Sequence, residues 1–283
     1  MRLKKINKYF FTLFVFFHTG LSQDYLPLSK VSLNDIRGAR EFFPDLIASH
    51  ASQIAFIDKK NHTLGMYAND SLRIIGGYGS SEYSFLDPVD IVIDNLDIMV
   101  LDESAGRVTK YDLNLNFIQL YDLAPDYTVY PSVFDVDSRQ NIYYFNRDDG
   151  ILYRRNYREQ NVSKFIDYSS SSLPFQCLSD IYINQKDQIG VLFDCSNELH
   201  TYGRSGRLQR KYSFELKNAL KALFVNDDWI IINSAAQVQF INGPLLNLYI
   251  NQETVLDSYL DQNNLFILTK NNIYIFDLSI LSK

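Results

Sequence analysis

The sequence predicts an all-β fold: a six-bladed β-propeller of four-stranded antiparallel blades, and three observations predict it. An apolar run ending in Asp, Asn or Thr recurs six times along the 283 residues. The runs are IAFID to Asp58, IMVLD to Asp102, IYYFN to Asn146, IGVLFD to Asp194, IIIN to Asn233 and LFILT to Thr269. Their ends recur about every 42 residues, the length of one blade built from several short strands. An aromatic follows most runs at a similar distance: Tyr67, Tyr111, Tyr202, Phe240 and Phe276, with Tyr153 standing two residues before Arg155 in unit three. Composition is the third observation. With 46% hydrophobic residues, 20 Tyr and 20 Phe, the chain is rich in the side chains that strands favour.

Unit two gives the pattern in order. LDPVDIVID, ending at Asp94, reads as an innermost strand and Asn95-Leu96-Asp97 as a tight turn. IMVLD is the second strand, Glu103 to Gly106 a loop, RVTKYDL the third strand and FIQLYDL the fourth. Innermost strands recur as VFDVD from Val133, DIYIN from Asp180, ALFVN from Ala222 and SYLD from Ser258, each before a polar turn. Leu46 to Ala51 is the candidate in unit one. Helical patterning is confined to Glu215 to Leu223, at most a turn or two. Unit six lacks a fourth strand, because seven residues remain after Phe276. YLPLSKVSL, Tyr25 to Leu33, is the natural partner, closing the ring from the N-terminal end and removing an exposed edge.

The stretch from Gly76 to Asp112 resembles an NHL-type repeat of the six-bladed, TolB-like propeller superfamily. The residues that carry the resemblance are Gly76, Gly77, Gly79, Phe85, Pro88, Asp102, Arg107 and Val108. It implies the fold and binding on one face, and its functions are too varied to transfer.

Residues 1–22 read as a signal peptide: Arg2, Lys4, Lys5 and Lys8, then an apolar core from Tyr9 to Phe17, then a cleavage site at Gly20-Leu21-Ser22. Nine apolar residues are too few to span a bilayer, which takes about 20. The reading is therefore an exported chain, periplasmic or extracellular, with residues 23–283 as one domain and no transmembrane segment after processing. Without the leader, 23 basic residues face 33 acidic ones, a balance ill-suited to nucleic acid. Export permits a disulfide. Cys177 and Cys195 each lie nine residues from Lys186, at the turn of the DIYIN hairpin, so they face one another across the strand pair.

No catalytic motif appears. His50, His62 and His200 are separated and show no paired metal-ligand spacing, and His18 leaves with the leader. The acid pairs Asp94/Asp97, Asp135/Asp137 and Asp227/Asp228 fit turn chemistry. No cofactor is implied, and calcium in the channel has no loop motif behind it. Gly76-Gly77-Tyr78-Gly79 lacks the Lys-Ser/Thr of a phosphate loop. Asn61, Asn69 and Asn161 begin glycosylation sequons.

The reading is a non-catalytic binding propeller whose partner is a protein, peptide or glycan. The alternative is a metal-assisted hydrolase or lyase with its site in the channel. The expected binding surface is the face of the interblade linkers, with Tyr78, Tyr83, Tyr127, Tyr130 and Tyr168 beside Arg107 and Arg147. Intact mass checks the processing and the bridge together. Cleavage near Ser22 and two cysteines that resist alkylation until reduced are expected; freely alkylated thiols would dispose of the bridge.

Overall fold

The computed structural model describes residues 24–51, 53–123, 129–170 and 175–279. It is a ring of six sheets, each built from consecutive antiparallel strands. Blade 1 comprises Leu46–His50, Gln53–Asp58, Thr63–Ala68 and Ser71–Gly76. Blade 2 comprises Pro88–Asp94, Asp97–Asp102, Arg107–Asp112 and Phe117–Asp122. Blade 3 runs through Pro131–Val136, Ile142–Asn146, Ile151–Arg155 and Val162–Asp167. Blade 4 runs through Leu178–Ile183, Ile189–Phe193, Glu198–Tyr202 and Leu208–Ser213. Blade 5 holds Ala219–Val225, Asp228–Asn233, Gln237–Phe240 and Leu245–Leu248. Blade 6 holds Val255–Asp261, Asn264–Thr269 and Asn272–Asp277. The second strand is buried at nearly every position because both its faces meet neighbouring blades, which is why these runs read as continuously apolar.

The N-terminal segment closes the ring. Ser29–Ser32 pairs antiparallel with the third strand of blade 6, from Ser29 opposite Ile275 to Ser32 opposite Asn272. Only these four residues of the expected stretch make that strand. Upstream, Asp24–Tyr25 pairs in parallel with the outer strand of blade 5. Tyr25 also donates its hydroxyl to the Asp277 carbonyl. Downstream, Ser32 caps a short helix, Leu33–Arg37, accepting the Asn34 amide at 3.2 Å. The segment thus stitches blade 5 to blade 6. The helical expectation at Glu215 to Leu223 is overturned: Ala219–Val225 is an innermost strand, its Ala222 and Leu223 buried between blades.

The recurrent polar residue at the end of the second strand fastens the linker that enters its blade. Asp58 accepts the Phe43 amide at 2.7 Å, and Asp102 accepts the Leu86 and Asp87 amides, both at 2.9 Å. Asn146 accepts the Tyr130 amide at 3.0 Å, and Asn233 donates to the Lys217 carbonyl at 3.1 Å. Each is nearly fully buried, so the linker groups it satisfies would otherwise lack partners. Blade 4 departs. Its strand stops at Phe193, and Asp194 lies in the loop beyond. There the Cys177–Cys195 disulfide, with Cα atoms 5.6 Å apart, joins linker to loop covalently.

Removing Asp24 to Leu33 exposes the third strand of blade 6 and deletes the buried Leu33. A side chain of that kind contributes about 1.5–3 kcal/mol. With the lost strand pairing, the melting temperature should drop by about 10 °C or more, at about 2–4 °C per kcal/mol for a large domain. Unchanged melting would refute closure by this segment.

Candidate functional site

The central channel gathers charge that its sequence pattern does not announce. In blades 2, 4, 5 and 6 the innermost strand carries a register shift near its start. Asp90, Asp180, Lys221 and Asp257 are the first residues paired after it. A bulge re-aims the side chain that follows. Here it brings the Lys221 ammonium 3.3 Å from Asp180, 3.7 Å from Asp90 and 3.8 Å from Asp257. Blade 3 has Val133 at that register and offers Asp135 two residues further on. Asp90, Asp135, Asp180 and Lys221 line a cavity of about 160 Å³, with Tyr182 and Tyr259 on its walls.

Each carboxylate also crosses to a neighbouring blade. Asp90 accepts the Phe134 amide at 3.0 Å, Asp135 the Ile183 amide, Asp180 the Ala222 amide at 2.8 Å and Asp257 the Ile47 amide at 2.9 Å. Tyr259 spans blade 1 altogether, donating to the Ile93 carbonyl of blade 2 at 3.0 Å.

Burial pushes the carboxyls up: Asp135 well above the usual range, Asp257 upward, and Asp180 to about 7 despite the opposing pull of Lys221. Burial alone would lower Lys221, but Asp180, Asp90 and Asp257 outweigh it and hold the ammonium charged. The chain therefore supplies its own cation at the centre of its acids. Among the described residues, the single group of three His, Cys, Asp or Glu ligand atoms close enough to share a metal is Cys177, Asp194 and Cys195, whose sulfurs are already joined.

The histidines do not converge. His62 packs edge-on against Tyr78, with ring centroids 5.2 Å apart. His200 is buried in the third strand of blade 4, 2.8 Å from Glu198 and 3.3 Å from the Tyr202 hydroxyl. The acid pairs at turns behave as such: Asp137 accepts the Arg139 and Asn141 amides, and Asp228 those of Trp229 and Asn242. Asp135 and Asp94 differ, since both line the channel cavity, and Asp97 pairs with Lys110 at 2.6 Å.

The residues expected on the linker face fall into different surroundings. Tyr130 is exposed and its carbonyl accepts the Arg147 amide at 3.3 Å, which places the two together. Glu103, from the corresponding loop of blade 2, feels both Arg147 and Lys59, so loops of blades 1, 2 and 3 converge there. Tyr78 is 77% exposed, above His62. Tyr83 is half exposed, but its linker runs along the flank of blade 2 and its hydroxyl accepts the Phe117 amide at 3.2 Å. Tyr168 is 2% exposed, wedged against Phe193 at 5.3 Å, so it offers no contact surface. Its linker turns inward between blades 3 and 4, and an aromatic there fills the seam. Arg107 is likewise buried, donating to the Ser80, Ser81 and Ser84 carbonyls as it holds the preceding linker. Tyr127 lies outside the described residues.

No family model matches the chain, and no curated protein matches it in sequence. Solved structures match in shape. A streptogramin B lyase superposes with a TM-score of 0.63 at 11% identity, covering 87% of this chain and 96% of its own. Virginiamycin B lyase from Staphylococcus aureus gives 0.59 at 10%, covering 88% and 98%. The extracellular domain of a putative one-component system from Bacteroides thetaiotaomicron gives 0.60 at 10%, covering 91% of this chain and 42% of that one. At such identities these likenesses show the fold alone.

Asp180 gives the channel a measurable signature. Its folded pKa lies above its ordinary 3.8, so its contribution to stability is full at low pH and is lost as pH rises through about 7. Asp135 and Asp257 carry the same sign. His200, held low by burial, carries the opposite one. Asp180→Asn keeps an oxygen for the Ala222 amide but does not titrate. Between about pH 5 and pH 8 the variant should lose less melting temperature than the wild type, by a few degrees. Parallel melting curves would contradict the assignment.

Proposed function

We propose that the chain is an exported, non-catalytic binding propeller that receives a protein or peptide partner at the linker-side mouth of its channel, around Tyr130, Arg147 and Glu103. One observation carries this reading: the acids of the channel are engaged by the ring itself, each accepting a backbone amide and three of them sharing Lys221. A site so engaged holds blades together and leaves the loops to do the binding. At the mouth an exposed tyrosine stands beside an arginine, two residue types that anchor protein contacts, with the half-buried Glu103 carboxylate near the arginine. Export is supported by the disulfide and the leader-like first 22 residues. Among the described residues no helix is long and apolar enough to cross a membrane. The NHL-like character of the Gly76 to Asp112 unit belongs to the same reading and rests on its residues.

The lyase alternative draws on Asp180, whose pKa of about 7 suits proton transfer. Against it, that carboxyl is almost wholly buried and already bonded to Ala222 and Lys221.

The test is capture from the exported fraction of the source cell by the immobilised mature chain. Tyr130→Ala with Arg147→Ala should abolish a specific partner and leave the melting temperature within about 1 °C, as exposed substitutions do. Undiminished capture would overturn the reading. A metal-dependent turnover lost in Asp180→Asn would establish the alternative.

A further inference from the structure

Blade 4 fastens its entering linker with a bond that chemistry can open. In the other blades the residue ending the second strand does this by hydrogen bonding: Asp58, Asp102, Asn146 and Asn233 to linker backbone, and Thr269 to the linker's Glu253 carboxylate. These five are buried, so their bonds are closed to solvent reagents. The Cys177–Cys195 bridge lies at the surface, with Cys195 exposed and Cys177 half-buried. A thiol in solution reaches it while the ring stays closed.

A line of contacts leads from the bridge to the linker-side mouth. Cys177 ends the short turn Phe175–Cys177. The Phe175 ring lies so close to Gly150 that a Cβ there would come within 2.8 Å of it. Gly150 closes the loop that carries Arg147, and its amide donates to the Asn146 carbonyl at 3.1 Å. The Asn146 side chain holds the Tyr130 amide at 3.0 Å, and the Arg147 amide donates to the Tyr130 carbonyl. The bridge pins the turn, the turn packs the loop, and the loop sets Arg147 beside Tyr130. The blade beneath does not need the bridge to stay paired. Leu178 lies opposite Phe193 in the sheet, and the Asp194 amide donates to the Cys177 carbonyl at 3.1 Å.

We propose that the Cys177–Cys195 bridge is a redox latch on the linker-side mouth. Closed, it holds Tyr130 and Arg147 in the arrangement that a partner meets. Opened by a dithiol, it frees the Phe175 turn and the Arg147 loop, and the partner is released. The proposal rests on the reading of that mouth as the binding surface and adds its regulation. The exchange is balanced. One thiolate of the reductant attacks the exposed Cys195 sulfur, and Cys177 leaves and takes up a proton. The second thiol of the reductant gives up its proton and displaces Cys195, which is protonated in turn. Two electrons pass to the bridge, and the dithiol closes as a disulfide.

The test compares the intact mature chain before and after dithiothreitol under native conditions. Iodoacetamide should then label both cysteines while the chain still melts in one cooperative step. Hydrogen exchange at residues 147–150 and 175–178 should quicken by about threefold or more, with the strands of blades 1 and 5 unchanged. Cys177→Ser with Cys195→Ser should match the reduced chain. Phe175→Ala with the bridge intact should loosen residues 147–150 alike. Partner capture should weaken by about tenfold on reduction and return on reoxidation. A bridge that resists the dithiol in the folded chain, unchanged exchange at 147–150, or loss of protection throughout the ring would overturn the proposal. So would equal capture by the two forms. Capture by neither form would count against the linker-side binding surface alone, and the exchange result would then decide whether the latch moves the loop.

Discussion

Lys221 holds the centre of this molecule. Three carboxylates from blades 2, 4 and 6 lie 3.3–3.8 Å from its ammonium, and each turns another oxygen to a backbone amide of the next blade. A buried carboxylate with no counter-charge costs several kcal/mol, and so does a buried ammonium. Each therefore depends on the other being present. The amides lie on the inner edges of the innermost strands, where no further strand can pair with them. The acids satisfy these edge groups and the lysine neutralises the acids.

The same economy operates at the linker side, where Asp58, Asp102, Asn146 and Asn233 bond the entering chain. Blade 4 has Phe193 at that place and a disulfide does the fastening. The seam between blades 5 and 6 is secured differently again. No aspartate crosses there from the innermost strand of blade 5, which carries Lys221 instead. Asn226 donates to the Leu278 carbonyl at 2.9 Å, and the N-terminal segment ties both outer edges. Of the two seams whose leading blade carries no channel aspartate, that from blade 1 to blade 2 is spanned by Tyr259 of blade 6 and that from blade 5 to blade 6 is stitched from outside.

While the channel acids are engaged by the ring, the two faces of the ring differ in chemistry. The linker side presents charged loops near Tyr130, where Glu103 feels both Lys59 and Arg147. On the turn side the half-buried Phe224 and Tyr182 lie among the carboxamides of Gln185 and Gln262, beside the Lys186–Asp227 ion pair.

The repeat of apolar runs settled the six blades, and the shortage of chain in unit six settled how the ring closes, because both follow from one-dimensional spacing. The facing of Cys177 and Cys195 was legible for the same reason: it needs only counting along one hairpin. The linker tyrosines were harder. Tyr78, Tyr130 and Tyr168 look alike in sequence, yet Tyr168 is buried in a seam and the other two are exposed. Nothing local distinguishes them, since the difference lies in which way each linker turns. The channel cluster was hidden for a stronger reason. Asp90, Asp180, Lys221 and Asp257 are far apart along the chain and sit in strands whose alternation gives no sign of a bulge. A register shift of one residue re-aims a side chain, and its partners are supplied by other blades. Sequence determined the repeated unit, because strands and turns are local; only closure of the ring decided which charges meet, because their meeting is a property of the circle.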